Sequence, residues 1–208
     1  MPIPHKYITN DDEAYELEAN YYLHFQLVSA SISLDHIYYC KYTDKDLFES
    51  KEQYYHYYTD HLLYSLGQIA ERFRENNNPN TSNDYFVRRS ANRNNYRFDN
   101  LSYPILSNKV FRNTIEHIDE HNIEVIKKHK GVGGFNIIDD STPESLVNTL
   151  RNKRDIHTYT LDLLLKQLYI ERDETSLTME LDDLKHEIID LKKKVDDFWG
   201  FNDNTSDK

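Results

Sequence analysis

The sequence predicts a mainly α protein: an antiparallel helical bundle with a small C-terminal β-hairpin and a terminal helix. Three observations lead there. Apolar side chains return at steps of three and four through much of the first 130 residues, the spacing of one helix face. Two short runs near the end, Leu168-Tyr169-Ile170-Glu171 and Ser176-Leu177-Thr178-Met179-Glu180, have the composition of strands. Beyond them Leu181, Leu184, Ile188, Leu191, Val195 and Phe198 form a helical ladder that Gly200 ends.

The first helix is expected from Asn10 to about Lys41, with Asn10 and Glu13 as its start signal and Leu17, Tyr21, Phe25, Val28 and Ile32 as its core stripe. Thr43 with Asp46 reads as a second start, and Tyr54, Tyr58, Leu62, Leu66, Ile69 and Phe73 form the stripe that follows. So short a connection predicts an antiparallel pair. Residues 76–100 open on Asn76-Asn77-Asn78-Pro79-Asn80, residue types that favour turns, and read as a flexible Asn/Arg-rich loop. Arg88, Arg89, Arg93 and Arg97 within it are the best local basic cluster of the chain.

A third helix is expected from about Tyr103 to Lys128, with Leu106, Val110, Thr114, Ile118 and Val125 on one side. Gly131-Val132-Gly133-Gly134 ends it. That run is no phosphate-binding glycine loop, because it follows a helix and lacks the Lys-Ser/Thr ending. Thr142-Pro143-Glu144 starts a short helix. The two strands join across Arg172 to Thr175, with an extended piece near Ile156 to Thr160 beside them. The expected organisation is a bundle over residues 1–130, a hairpin-plus-helix appendage over 131–200 and a disordered tail over 201–208.

Composition narrows the function classes. The 208 residues are 38% hydrophobic and 29% charged, a globular balance, with 17 tyrosines supplying much of the apolar area. No apolar run reaches roughly 18 residues, so no membrane partner is expected, and the start lacks an apolar stretch of leader length. Cys40 is the only cysteine, which suits a reducing cytoplasm. The net charge of −11 argues against extended nucleic-acid binding, since phosphate neutralisation carries most non-specific affinity, and leaves room for one local basic cleft or a basic partner.

Chemistry concentrates in Arg112-Asn113-Thr114-Ile115-Glu116-His117 on the third helix. Arginine grips phosphate with a planar fork, and histidine carries a proton near neutral pH. Relative to Leu106, Asn113, His117 and His121 lie at about −20°, 20° and 60°, beside the apolar stripe, so His117 faces a packing surface. Arg112 lies about 140° from His117, so its arm bends back or a second subunit brings the two groups together.

This segment resembles the motif of the HEPN superfamily: Arg, four to six residues, then His, usually with a polar residue straight after the Arg. Arg112, Asn113 and His117 match those positions, and the run from Arg112 to Glu120 looks like a segment of uncharacterised bacterial HEPN-like proteins. In those proteins a helical bundle also precedes a small hairpin, whose turn an aspartate begins, the place Asp173 holds here. The likeness in residues covers about ten positions, and the architecture residues 10–130. It implies a metal-independent endoribonuclease without a cofactor, acting on RNA as a homodimer with the motif helices facing each other. His117 would be the general acid or base, Arg112 would hold the phosphate, and Asn113 would orient one of them. Glu116, Glu120 and His121 lie alongside as supporting residues. Many such proteins are toxins partnered by a nucleotidyltransferase-like antitoxin, and some have lost activity.

Two other readings stay open. Arg112 pairs with Glu116 one turn on and His117 is a satisfied interface histidine, which leaves a non-catalytic helical dimer that binds a partner, a nucleotide or RNA. Alternatively His117 and His121, with Glu120 and Glu124, join Glu52, His56 and Asp60 of the second helix around a metal, although the double Glu-x-x-His signature of di-iron bundles is absent. Tyr54-Tyr55-His56-Tyr57-Tyr58 covers every side of its helix, so part of it is exposed or at an interface.

Overall fold

The computed structural model describes residues 11–39, 48–73, 92–108, 135–152, 159–172 and 175–201. Among these the protein is mainly α, with a four-stranded sheet. Helix α1 spans Asp11–Tyr39 and α2 spans Lys51–Arg72. Strand β1 (Phe135–Ile138), helix α3 (Glu144–Asn152) and strand β2 (Tyr159–Asp162) follow, then β3 (Gln167–Arg172), β4 (Thr175–Glu180) and α4 (Leu181–Trp199).

α1 lies between two antiparallel neighbours. His36 Nδ1 sits 2.9 Å from the Tyr54 hydroxyl, the Ser65 hydroxyl donates to Ser29 at 3.1 Å, and Arg72 lies over the Tyr22 ring at 5.9 Å. Rising numbers on α2 thus meet falling numbers on α1. The same holds for α4, whose Lys185 pairs with Asp35 at 2.8 Å and whose Asp196 pairs with His24 at 2.6 Å.

α1 buries a stripe that agrees only in part with the one its sequence suggests: Leu17 and Tyr21 of the expected stripe pack half-buried against the core. Leu23, Leu27, Ala30, Leu34 and Ile37 face the core, whereas Phe25 and Ile32 are 48% and 51% exposed. The helix carries two apolar ladders, and the leucine-based one fits between α2 and α4.

α2 begins at Lys51, later than Thr43 and Asp46 suggested, on its own cap. The Ser50 hydroxyl accepts from Gln53 N at 3.2 Å, and the Gln53 amide oxygen accepts from Glu49 N at 2.9 Å, close to a capping box. Its expected stripe holds, with Tyr54, Leu62, Leu66, Ile69 and Phe73 buried. α4 ends as its glycine suggests, with Gly200 left-handed at φ 71° and its N–H on Asp196 O. Trp199 takes the core position expected of Phe198, and Phe201 is buried rather than part of a loose tail.

The sheet is larger than a hairpin. Its order is β1-β2-β3-β4, with β1 parallel to β2 across the α3 crossover and the other pairs antiparallel. Alternation sorts its faces. Tyr159, Leu161, Leu168, Ile170 and Met179 join the core under the long helices, while Ile138 meets Val147 and Leu150 of α3 on the other face. One buried cluster runs from Leu23 through the sheet to Phe201, so the strands and α4 share the core of α1 and α2. Asp162, fully buried at the end of β2, accepts from Arg151 Nε at 2.7 Å and from the amides of Leu164 and Leu165, which satisfies its charge. No helix among the described residues is long and apolar enough to cross a membrane.

Candidate functional site

The sequence-derived site, Arg112, Asn113, Glu116, His117, Glu120 and His121, lies outside the described residues, as do Cys40, Arg88, Arg89, Asp173 and the glycine run. What the structure positions is the stretch that precedes those residues in sequence, residues 92–108. This stretch is more ordered than its asparagines suggest. Residues 92–96 form a helical turn, and Tyr96 points into the core. The Tyr96 hydroxyl donates to Asn20 Oδ1 at 2.8 Å and accepts from Trp199 Nε1 at 2.6 Å. Phe98 stacks between Phe73, with centroids 3.8 Å apart, and Tyr103 at 5.2 Å.

α4 then holds the segment that leads toward Arg112. The buried Glu187 carboxylate accepts from Ile105 N at 2.9 Å and Leu106 N at 2.8 Å. Burial pushes its carboxyl above the ordinary range, against the pull of those two amides. The Tyr103 hydroxyl donates to Asp190 at 2.7 Å and receives from Lys194 at 2.7 Å. Residues 104–107 are consequently turns and not the first turn of a helix beginning at Tyr103.

A solvent-open pocket of about 360 Å³ lies at the start of this stretch, lined by Arg93, Asn94, Arg97, Phe98 and Asp99. The Arg93 guanidinium donates to Phe73 O at 2.8 Å and lies 5.8 Å from the centre of the Phe98 ring. Asp99 Oδ1 accepts from Ser102 N at 2.7 Å and Leu101 N at 3.0 Å. Those amides, Ser102 first, hold its carboxyl below the usual carboxylate range. Two arginines of the basic cluster thus share one concavity, where the planar guanidinium fork suits an anion.

Two further clusters carry titratable groups. His56 and Asp60 of α2 meet Tyr159 of β2: the phenol donates to Asp60, and His56 Nε2 lies 2.8 Å from the phenol oxygen and 3.5 Å from Asp60. With its single proton directed at Asp60, the phenol accepts from His56. Glu52 stands outside this group, and no set of three or more metal-ligating side chains occurs among the described residues. The second cluster is nearly buried. His24 donates to Asp196, which also receives Lys192. Burial raises the Asp196 carboxyl, and the bonds from His24 and Lys192 outweigh it, so the net displacement is downward. Tyr159, Asp196 and Glu187 escaped sequence reasoning because their partners lie 81 to 172 residues away.

Comparison with family models, with curated proteins and with solved structures finds no match for this chain.

Proposed function

We propose that this protein is a metal-independent endoribonuclease of the HEPN kind, with Arg112, Asn113 and His117 at its reactive centre. The observation that carries the reading is the Arg112-Asn113-x-x-x-His117 pattern. The mainly helical fold is compatible with a HEPN-type bundle, and the arginine-lined pocket just upstream supplies a local basic concavity in a chain of net charge −11.

In this reading the ribose 2′-hydroxyl attacks the adjacent phosphorus. A bond from O2′ to phosphorus forms, and the bond from phosphorus to the 5′-oxygen of the next nucleotide breaks. His117 relays the proton between those oxygens, Arg112 neutralises the charge that builds on the non-bridging oxygens, and Asn113 orients the imidazole or the phosphate. A homodimer with facing motif helices supplies the arginine–histidine proximity that an ideal single helix withholds. The setting is cytoplasmic, and an antitoxin of nucleotidyltransferase type is the proposed partner.

Purified wild type, His117→Ala and Arg112→Ala, each in EDTA, test the assignment on single-stranded RNA. Cleavage by wild type that falls by about 100-fold or more in both variants supports it, the size expected for loss of a positioned proton carrier or charge stabiliser. Cleavage that persists in both variants, or vanishes on chelation alone, overturns it.

One observation favours a second reading, a non-catalytic interaction protein. Tyr22, Phe25, Ile32 and Tyr39 lie exposed on α1, about 120–180° around the helix from buried Leu34. An apolar face of this kind suits a partner surface. Binding without any cleavage would establish that reading.

A further inference from the structure

We propose that Arg97, supported by Arg93, forms a phosphate-binding pocket that holds a backbone phosphate of single-stranded RNA. The phosphate chemistry stands on the pocket itself, and the choice of RNA rests on the ribonuclease reading above.

The backbone at Arg97 points to the site. The turn over 92–96 closes with two bonds, Phe98 N to Arg93 O at 2.8 Å and Arg97 N to Asn94 O at 3.3 Å. That pair is the Schellman arrangement, in which the residue past the helix end turns left-handed. Glycine fills this position most cheaply, and asparagine next. Here arginine fills it, at φ 52°. The chain accepts that conformational cost although asparagines stand at 94 and 95. An unfavourable backbone held in place by its surroundings motivates a search for a role in the side chain.

The surroundings do hold it. Phe98, the next residue, is clamped between Phe73 and Tyr103, so the left-handed step cannot relax without opening the core. The side chain of Arg97 is exposed at the pocket, and among the described residues its guanidinium pairs with no carboxylate. Arg93 is anchored on Phe73 O and adds a second positive charge at a set position. The lining carboxylate, Asp99, directs Oδ1 at two backbone amides of its own turn. A volume of about 360 Å³ admits a phosphate with its attached sugar.

The test uses the full chain and three probes: inorganic phosphate, a nucleoside monophosphate, and a 2′-O-methyl RNA oligonucleotide that cannot be cleaved. Each is titrated at low salt against wild type, Arg97→Gly and His117→Ala. Arg97→Gly is expected to weaken phosphate and RNA binding by about tenfold or more, the loss of one charge-assisted contact. It is also expected to raise Tm, because glycine takes the left-handed position more easily. Weaker binding by a more stable protein cannot come from misfolding. Binding at wild-type strength, or a lowered Tm, overturns the proposal. Tight phosphate or monophosphate binding with no RNA binding overturns the RNA assignment. Failure of the two readings is separable. A wild type that binds RNA through Arg97 without cleaving it removes the ribonuclease and keeps the pocket. Cleavage with an unchanged KM in Arg97→Gly removes the pocket and keeps the ribonuclease.

Discussion

Glu187→Ala is the most informative single perturbation of the described structure. Its carboxylate sits on α4 and receives the amides of Ile105 and Leu106, at 2.9 and 2.8 Å, in a place that is 7% exposed. Alanine leaves both donors without a partner. An abandoned buried donor costs about 1–3 kcal/mol, and Ile105 is only half-buried, so water relieves part of its share. The sum is about 2–4 kcal/mol, which in a domain of this size lowers Tm by about 4–16 °C. Glu187→Gln keeps one acceptor oxygen and is expected to lose roughly half as much.

The pH dependence gives a second handle on Glu187. Burial lifts its folded-state carboxyl above the unfolded value, so the share of stability linked to its protonation is full below that value and is lost as pH rises through the folded one. The deficit of Glu187→Gln against wild type is therefore larger near pH 4 than at pH 7. Urea unfolding at both pH values, with thermal melts by circular dichroism, measures all of this. A Glu187→Ala protein that melts within 1–2 °C of wild type would refute the capping account, as would a glutamine variant no better than alanine.

Other consequences follow from α4 and α1. Burial raises both carboxyls, but the bonds from His24 and Lys192 leave Asp196 below its ordinary range, and those from Lys194 and Tyr103 do the same for Asp190. For both groups the stability is present above the unfolded value and disappears as pH falls through the folded one. Wild type should weaken steeply on acidification below about pH 4, and Asp196→Asn should be less stable at pH 7 but lose less on acidification, as read by denaturant midpoints from pH 6 to 3. On α1, Leu27→Ala or Leu34→Ala should cost about 2–5 kcal/mol, whereas Phe25→Ala and Ile32→Ala should each cost less than about 1 kcal/mol. Equal costs on the two faces would contradict the assignment of the buried face.

The helices were legible where one periodic ladder stood alone. α2 from Leu62 onward and α4 each carry one dominant apolar stripe, and Gly200 marks the stop of α4 by its left-handed turn. α1 carries two ladders at once. Its Leu23–Ile37 ladder and the expected Leu17–Ile32 ladder share the same three-and-four spacing, and only the two flanking helices decide which residues lie deepest. The start of α2 poses the same difficulty, since Thr43–Asp46 and Ser50–Gln53 are both credible caps. β1 is four residues long and gains its meaning from pairing in parallel with β2, which no local pattern announces. Residues 92–100 read as loose because asparagine favours turns, yet Tyr96 and Phe98 are bound by Asn20, Trp199 and Phe73 from distant parts of the chain, with Tyr103 nearby completing the stack on Phe98.

For the candidate site, charge was legible and conformation was not. Arg93 and Arg97 stood out as part of a basic cluster in an acidic chain. Nothing local marks Arg97 as the left-handed residue of a helix end, a place where glycine would be anticipated. Glu187 likewise gave no signal, because a carboxylate that caps backbone amides 81 and 82 residues away looks like any helix-surface glutamate.

The ends of the RNA fragments report which oxygen attacks the phosphorus. Attack by the 2′-hydroxyl predicts 2′,3′-cyclic phosphate on one fragment and a 5′-hydroxyl on the other, with EDTA present and with no cut where the ribose at the scissile position is 2′-deoxy. Fragments ending in 3′-hydroxyl and 5′-phosphate, or cleavage at a 2′-deoxy position, would contradict it.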